Sequence, residues 1–216
     1  MSEKVTVVIP AFNEENSIDT VLKNVKIYVD EIIVIDDAST DKTYEIAKQN
    51  SAIVIRHDKN QGYDKCLDDG FKEAAKRKAS IILSFDADGQ HIPEDILNII
   101  APIKNGKIDV VVGIRPYKQR ISEMFFSYYA KKKIGIQDPL CGIKAYSVEA
   151  YKTIGYFDQI NSIGTELLFN CFKYGYQIQE VHINMNKREG TPRFGSIIKA
   201  NLKIFYALLK IYHKFG

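Results

Sequence analysis

The chain has 216 residues, of which 45% are hydrophobic and 26% charged. These values suit one soluble globular domain with a core of useful size. Lys and Arg number 30 against 27 Asp and Glu, leaving a net charge of +3, which gives no reason to expect a nucleic-acid partner. Cys66, Cys141 and Cys171 lie far apart with no C-x-x-C pair, which argues against a disulfide framework and against a structural zinc site.

In chain order, short apolar runs alternate with amphipathic stretches. Val5 to Ile9 reads as a strand and Glu15 to Tyr28 as a helix. Glu31 to Ile35 is a second strand, followed by Ser39-Thr40-Asp41 as a cap and a helix through Gln49. Ala52 to Ile55 is a third strand, with Phe71 to Lys78 as the end of a third helix. Ser80 to Phe85 is a fourth strand, Pro93 opens a helix at its first turn, and Asp109 to Gly113 is a fifth strand. Continuous Val/Ile runs of this kind predict strands buried on both faces. Their alternation with helices predicts an α/β fold with a mostly parallel central sheet. The second half is less regular, without linker, repeat or low-complexity segment. The stretch Gly195 to Gly216 has apolar residues at helical spacing beside Lys199, Lys203, Lys210 and Lys214, so it reads as an amphipathic helix that either packs on the domain or lies on an anionic membrane surface. No basic-then-apolar leader opens the chain, and no run of about 18 or more apolar residues appears. The expectation is a cytoplasmic protein, with peripheral attachment to the inner membrane face left open.

Ligands of such sheets bind at the carboxyl ends of the strands, and polar residues collect there: Asn13 and Glu14, Asp36 and Asp37, Asp86 and Asp88, Arg115. Neither G-x-G-x-x-G nor G-x-x-x-x-G-K-[ST] is present, so the usual dinucleotide and P-loop devices do not account for this edge. Two Asp at i and i+2 leaving a core strand, in Asp-Ala-Asp-Gly-Gln-His (86–91), can converge on one hard divalent cation with Gln90 in the surrounding shell. Taken alone such a pair also caps helices and decorates turns. The four histidines show no metal-ligand spacing, and His91, following the motif, reads as a neighbour of the metal ligands and not as a ligand itself.

The ordered set Val-Ile-Pro-Ala-Phe-Asn-Glu-Glu (8–15), Val-Ile-Asp-Asp-Ala-Ser-Thr-Asp (34–41), Asn60-Gln61-Gly62 and Asp-Ala-Asp-Gly-Gln-His (86–91) resembles the family 2 glycosyltransferases of the GT-A fold. Asp-Pro-Leu-Cys-Gly-Ile-Lys (138–144) and Gly-Thr-Glu-Leu-Leu (164–168) are similar to the branch holding dolichyl-phosphate mannosyl- and glucosyltransferases. The resemblance spans essentially the whole chain. It implies a single GT-A, Rossmann-like domain over 1–216: a nucleotide-sugar half at 1–115, an acceptor-side half at 116–194 and the C-terminal helix at 195–216. It also implies transfer of a sugar from a UDP- or GDP-linked donor, with inversion and with Mg²⁺ or Mn²⁺, commonly to a polyprenyl (dolichyl or undecaprenyl) phosphate at a membrane surface. Transfer to a glycan or other hydroxyl, and a non-catalytic nucleotide-sugar-binding protein, are the alternatives. No oligomeric state is implied.

By the same resemblance Pro10, Phe12, Asn13 and Glu14 line the nucleotide end, Asp36 and Asp37 reach the base or ribose, and Asp86, Ala87, Asp88 and Gln90 form the metal–diphosphate site, with Asp86, Asp88 and Gln90 on the metal. Asp88, Asp138 and Arg115 are the expected catalytic residues. Arg115 and Arg188 match basic positions of the family; Arg120, Lys144 and Glu166 complete the expected acceptor-phosphate set. Asp138 and Glu166 could each act as a base for a hydroxyl acceptor or orient basic neighbours such as Lys144. One segment departs from the pattern: a basic N-x-G-K-G-A-A stretch is usual after the third strand, whereas here Asn60-Gln61-Gly62-Tyr63-Asp64-Lys65 stands in its place, which leaves the donor's identity open.

Overall fold

Among the described residues, seven strands form one sheet in the order β3-β2-β1-β4-β6-β5-β7. The computed structural model describes residues 3–117, 120–186 and 197–216. The first half is β1 (Val5–Ala11), α1 (Ile18–Val25), β2 (Glu31–Asp36), α2 (Thr43–Gln49), β3 (Ile53–Arg56), α3 (Tyr63–Lys76), β4 (Ile81–Ser84), α4 (Asp95–Lys104) and β5 (Val110–Ile114). The second half is α5 (Ile121–Ile134), β6 (Lys144–Ser147), α6 (Val148–Ile154), α7 (Glu166–Lys173), β7 (Ile178–His182) and α8 (Ile197–Phe215). β1 pairs in parallel with β2 and β4, β2 with β3, and β5 with β7. Among these seven strands of the described residues, β6 alone runs antiparallel to its neighbours, between β4 and β5.

The five expected strands are all present, and every residue of β1 and β4 is buried, as continuous apolar runs require when helices cover both faces. Several helix bounds differ from expectation. α1 begins three residues later than Glu15, because Glu14 to Ser17 form a turn in which Ser17 and Ile18 donate their amides to the Glu14 carbonyl. At α2, Asp41 does the capping, its Oδ1 accepting from the Thr43 amide and hydroxyl, whereas Ser39 is committed to the Asn13 amide. α3 begins at Tyr63, directly after Gly62 at φ 92°, and ends at Lys76, two residues short of Lys78.

β6 sets the geometry of the site. Its sequence Lys-Ala-Tyr-Ser has no apolar run, yet all four residues are buried between β4 and β5. Ser84 Oγ donates to the Gly142 carbonyl at 2.8 Å, drawing the 138–144 segment over the carboxyl end of β4. Behind the sheet, α3 lies so close to β1 that a Cβ on Gly70 would stand 2.1 Å from Val8 Cγ1. Val8 is fully buried and stiff about χ1, so the contact cannot be relieved by a rotamer change. Gly70→Ala gains about 1 kcal/mol of helix propensity but overpacks the core at a cost of about 1–3 kcal/mol. The expected outcome is a net loss of stability with an unchanged far-UV spectrum, measured by urea unfolding.

Candidate active site

The carboxyl ends of the parallel strands open into a cleft of about 310 Å³, within the size range of small-molecule sites. Of the residues expected at the donor end, Pro10, Phe12, Asp37, Asp86, Asp88 and Gln90 line it. Asn13, Glu14, Asp36 and Ala87 lie behind and brace the edge. Asn13 takes a left-handed φ of 54° and its Oδ1 accepts from the Thr40 amide at 2.9 Å. Glu14 and the Ala87 carbonyl both accept from the Ser17 hydroxyl. Asp36 is fully buried, with Arg56 Nε 3.1 Å from its Oδ2 but off the hydrogen-bonding direction; the β2–β3 register sets the two residues opposite each other.

Asp37 is the most heavily held carboxylate of this end. It accepts the amides of Gln61 and Gly62, both at 2.8 Å, and faces His57 Nδ1 at 2.7 Å. Burial opposes its charge, but these hydrogen bonds prevail and its pKa falls below the ordinary value. His57 Nε2 is 3.2 Å from Asp69, which also binds Lys65. Donor atoms of Asp37, His57 and Cys66 lie within 4.8 Å of one another. Burial, then the charge of Asp37, pushes the Cys66 thiol far above its usual range, so it is a poor metal ligand. The arrangement anchors the Asn60-Gln61-Gly62 loop.

Asp86 and Asp88 leave β4 into the cleft. Asp86 meets the Tyr63 hydroxyl at 3.3 Å and His91 Nε2 at 3.2 Å, and Asp88 Oδ1 accepts the Gln90 amide at 3.1 Å. A Cβ on Gly142 would lie 2.1 Å from Asp86 Oδ2, so the absence of a side chain there lets the segment before β6 lie against the carboxylate. Two carboxylates with the Gln90 side chain beside them form a hard, oxygen-rich set of the kind that suits Mg²⁺ or Mn²⁺. His91 is buried against Asp86, where it can orient a ligating carboxylate.

On the opposite wall Arg115 and Asp138 form a bidentate pair: Nε and Nη2 each donate to a carboxylate oxygen at 2.8 Å, and the Arg115 amide donates to Asp138 Oδ2 at 3.0 Å. Glu123 accepts from Arg115 Nη2 at 3.1 Å and from Arg120 Nη1 at 3.0 Å. Burial alone would lower the Arg115 pKa; the Asp138 hydrogen bonds and charge outweigh it and raise it. Arg115, Arg120 and Glu123 line the cleft, joined by Lys203 of α8. Asp138 sits beneath, buried. Lys144 and Glu166 do not line it. Lys144 is buried, donates to the Gly164 carbonyl at 2.9 Å, and has its pKa lowered by burial. Glu166 accepts the amides of Gln159 and Ile160 and pairs with Lys214 of α8. Arg188 lies outside the described residues, as do Lys187 and Arg193.

Sequence reasoning passed over Tyr63, Glu123 and His57, and it placed Lys203 on a basic stripe instead of at the cleft. Gly62 ahead of α3 was the available signal for Tyr63. Nothing in the local pattern marks Glu123, which reaches Arg115 only through the fold. The rim also contains Ile163, a β-branched residue at φ 60°. That conformation is costly and is held by Asp158, which accepts the amides of Ile160, Ser162 and Gly164.

The matched family model is Glycosyl transferase family 2, over residues 6–181, and the chain belongs to that family. It is a glycosyltransferase. Among relatives, a UDP-N-acetylglucosamine–dolichyl-phosphate N-acetylglucosaminyltransferase of Methanococcus voltae is 31% identical, with 98% of this chain and 97% of that protein covered. A dolichol-phosphate mannosyltransferase of Pyrococcus furiosus is 30% identical over 96% of this chain and 64% of its own length. Glucosyl-3-phosphoglycerate synthase of Mycobacterium tuberculosis, solved with Mn²⁺, UDP and glucosyl-3-phosphoglycerate, superposes with a TM-score of 0.74 at 21% identity, covering 97% of this chain and 80% of that one. At that identity the likeness is one of fold, the GT-A fold expected above.

Asp64, beside Ile163, offers a test of the site's electrostatics. Burial, then the charge of Asp158, pushes its carboxyl up to about 6, and its Oδ1 has no hydrogen-bond partner. A carboxyl whose folded pKa lies above its unfolded value costs nothing below about pH 4; the cost builds between about pH 4 and 6 and is constant above that. Asp64→Asn should therefore raise stability by on the order of 1–3 kcal/mol at pH 8 and leave it nearly unchanged at pH 4. Urea unfolding at the two pH values measures the difference; an equal effect at both contradicts the assignment.

Proposed function

We infer that this glycosyltransferase moves a sugar from a nucleoside-diphosphate donor, held through a divalent cation on Asp86 and Asp88, to a polyprenyl phosphate, with inversion at the anomeric carbon. One observation carries the acceptor assignment: the acceptor-side carboxylates are committed to arginines. Asp138 gives both oxygens to Arg115, and Glu123 accepts from Arg115 and Arg120. An alcohol nucleophile needs a base to take its proton. A phosphate monoester does not, because its second pKa lies near ~6 and it is largely dianionic at neutral pH. The names of the relatives above, which act on dolichyl phosphates, support the same reading.

On this reading Asp37 and Phe12 lie at the nucleoside end. A bound cation would neutralise charge growing on the departing diphosphate. Asp86 and Asp88 would provide its oxygen ligands, with His91 and the close backbone at Gly142 holding Asp86 in place. Arg115, whose Nε and Nη2 are taken up by Asp138 and Glu123, supplies positive charge to the acceptor phosphate together with Arg120 and Lys203. One phosphate oxygen attacks the anomeric carbon as the bond to the donor diphosphate breaks, and the electron pair leaves on the diphosphate.

Calorimetric titration of UDP and of GDP in Mn²⁺ tests the donor half. Asp88→Asn should weaken nucleotide binding at least about tenfold in Mn²⁺ and leave thermal unfolding without ligand close to that of the native chain. Unchanged affinity in Mn²⁺ would remove Asp88 from the metal. Transfer of labelled sugar from a nucleotide-sugar panel, with polyprenyl phosphate and with hydroxyl acceptors, tests the acceptor half, and turnover with hydroxyl acceptors only would replace it.

A further inference from the structure

The turn from Asp158 to Glu166 reaches the rim of the cleft and is pinned by buried side chains. Asp158 accepts the amides of Ile160, Ser162 and Gly164, and Asp64 accepts that of Ile163 at 3.2 Å. Glu166 accepts those of Gln159 and Ile160. Lys144 donates to the Gly164 carbonyl at 2.9 Å, and the Thr165 hydroxyl to the Ser162 carbonyl at 2.8 Å. All of these side chains are buried. They hold left-handed backbone at Asn161 (φ 54°), Ile163 (φ 60°) and Gly164 (φ 67°). Asn and Gly are residues that this region favours. A β-branched residue is not, and it persists there only where the surrounding structure over-determines it.

The strain places one side chain. Ile163 is half-buried against the edge of the core and lines the cleft, as do Tyr63, Leu140 and Lys203. Its neighbours set it between the two halves of the site. Its amide is on Asp64, and the preceding residue, Tyr63, meets Asp86 at 3.3 Å. A Cβ on Gly164 would stand 3.7 Å from Tyr63 Cε1, so the turn lies along that ring. Asp64 is also within electrostatic reach of Lys203 on the acceptor wall. Ile163 therefore stands between the metal carboxylates and an acceptor-side cation, where the reading above puts the sugar in transit. An ordered water needs polar partners; a branched hydrocarbon offers none.

We propose that Ile163 determines reaction specificity: held in the left-handed conformation, its side chain keeps water from the anomeric carbon, so that the acceptor takes the sugar. In the reaction it suppresses, a water oxygen bonds to the anomeric carbon as the bond to the diphosphate breaks. The electron pair leaves on the diphosphate and a water proton passes to solvent. Water always outnumbers the acceptor, so a closed site is what holds this attack down. Asn or Gly would suit the backbone at 163 better than Ile; only the hydrocarbon would be lost. The inference rests on the nucleotide-sugar reading of the donor and not on the identity of the acceptor.

Product analysis with UDP-glucose, UDP-N-acetylglucosamine and GDP-mannose in Mn²⁺, with polyprenyl phosphate and with hydroxyl acceptors, tests it. Free sugar reports hydrolysis, and glycosylated acceptor reports transfer. Ile163→Asn and Ile163→Gly should each raise the ratio of hydrolysis to transfer at least about tenfold. Ile163→Val, which keeps the branch at Cβ, should raise it least. Both larger changes should leave the urea midpoint close to native, because relief of the backbone offsets lost packing. UDP and GDP affinities in Mn²⁺ should be unchanged. An unchanged ratio in both variants overturns the proposal. So does a large fall in the midpoint together with nucleotide affinity, which would make Ile163 a packing residue. A native chain that binds neither nucleotide in Mn²⁺ and consumes no donor overturns the donor reading and this inference with it. A raised ratio found with hydroxyl acceptors only leaves the inference standing and overturns the acceptor reading instead.

Discussion

Everything at the working edge of this sheet follows from the need to hold buried carboxylates. Asp36, Asp37 and Asp138 all lie beneath the surface within a few residues of strand ends or of the segment that covers them, and an uncompensated charge at such depth would cost several kcal/mol. Each is answered differently. Asp36 has Arg56 across the β2–β3 register, Asp37 has two loop amides and His57, and Asp138 has the fork and amide of Arg115. The loops and side chains that compensate these charges become the walls of the cleft. Asp86 and Asp88 differ in that they reach into it, with ligand-quality oxygens next to the one strand that runs antiparallel.

That strand, β6, brings the two halves of the site together. Its insertion between β4 and β5 presses Gly142 against Asp86, and the segment leading to it places Asp138 under Arg115. The proposed donor and acceptor walls are therefore set by one piece of chain, so a shift in the 138–144 segment would disturb both. α8 closes the acceptor side, carrying Lys203 to the cleft on one flank, pairing Lys214 with Glu166 on the same flank, and leaving an apolar face outward.

Strands β1, β2, β4 and β5 were legible because covered parallel strands need unbroken Val/Ile runs, and the sequence has them; β3 has such a run as well, although it is a half-exposed edge strand. β6 was not, because Lys144-Ala145-Tyr146-Ser147 mixes a charge and hydroxyls into a buried strand; the Lys144 ammonium is met by the Gly164 carbonyl, remote in sequence, and the Ser147 hydroxyl accepts the Ala150 amide. β7 is a half-exposed edge strand with His182 and Glu180 in it, and a weak pattern results. The positions of Asp37, Asp86, Asp88 and Arg115 at one edge could be inferred from strand ends alone. The pairing of Arg115 with Asp138, the role of Glu123 and the entry of Lys203 into the cleft depend on contacts spanning up to half the chain, which no local spacing encodes. Glu166 shows the opposite hazard: its motif suggested the site, whereas its carboxylate serves the turn at 159–160 and the last turn of α8.

The central claim is that Asp138 positions Arg115 and no side chain serves as a base. A pH–rate profile of kcat/KM on polyprenyl phosphate, for the native chain and for Asp138→Asn, tests it most directly. The account predicts that the native rate rises with pH through roughly 6, as the acceptor becomes dianionic, and then levels. Asp138→Asn should lose about 10–100-fold, below the upper part of the ~10²–10⁴-fold range of acid–base catalysis, and keep the same profile. Near-total loss in Asp138→Asn, or a profile whose inflection disappears with that carboxylate, would make Asp138 the base and contradict the account.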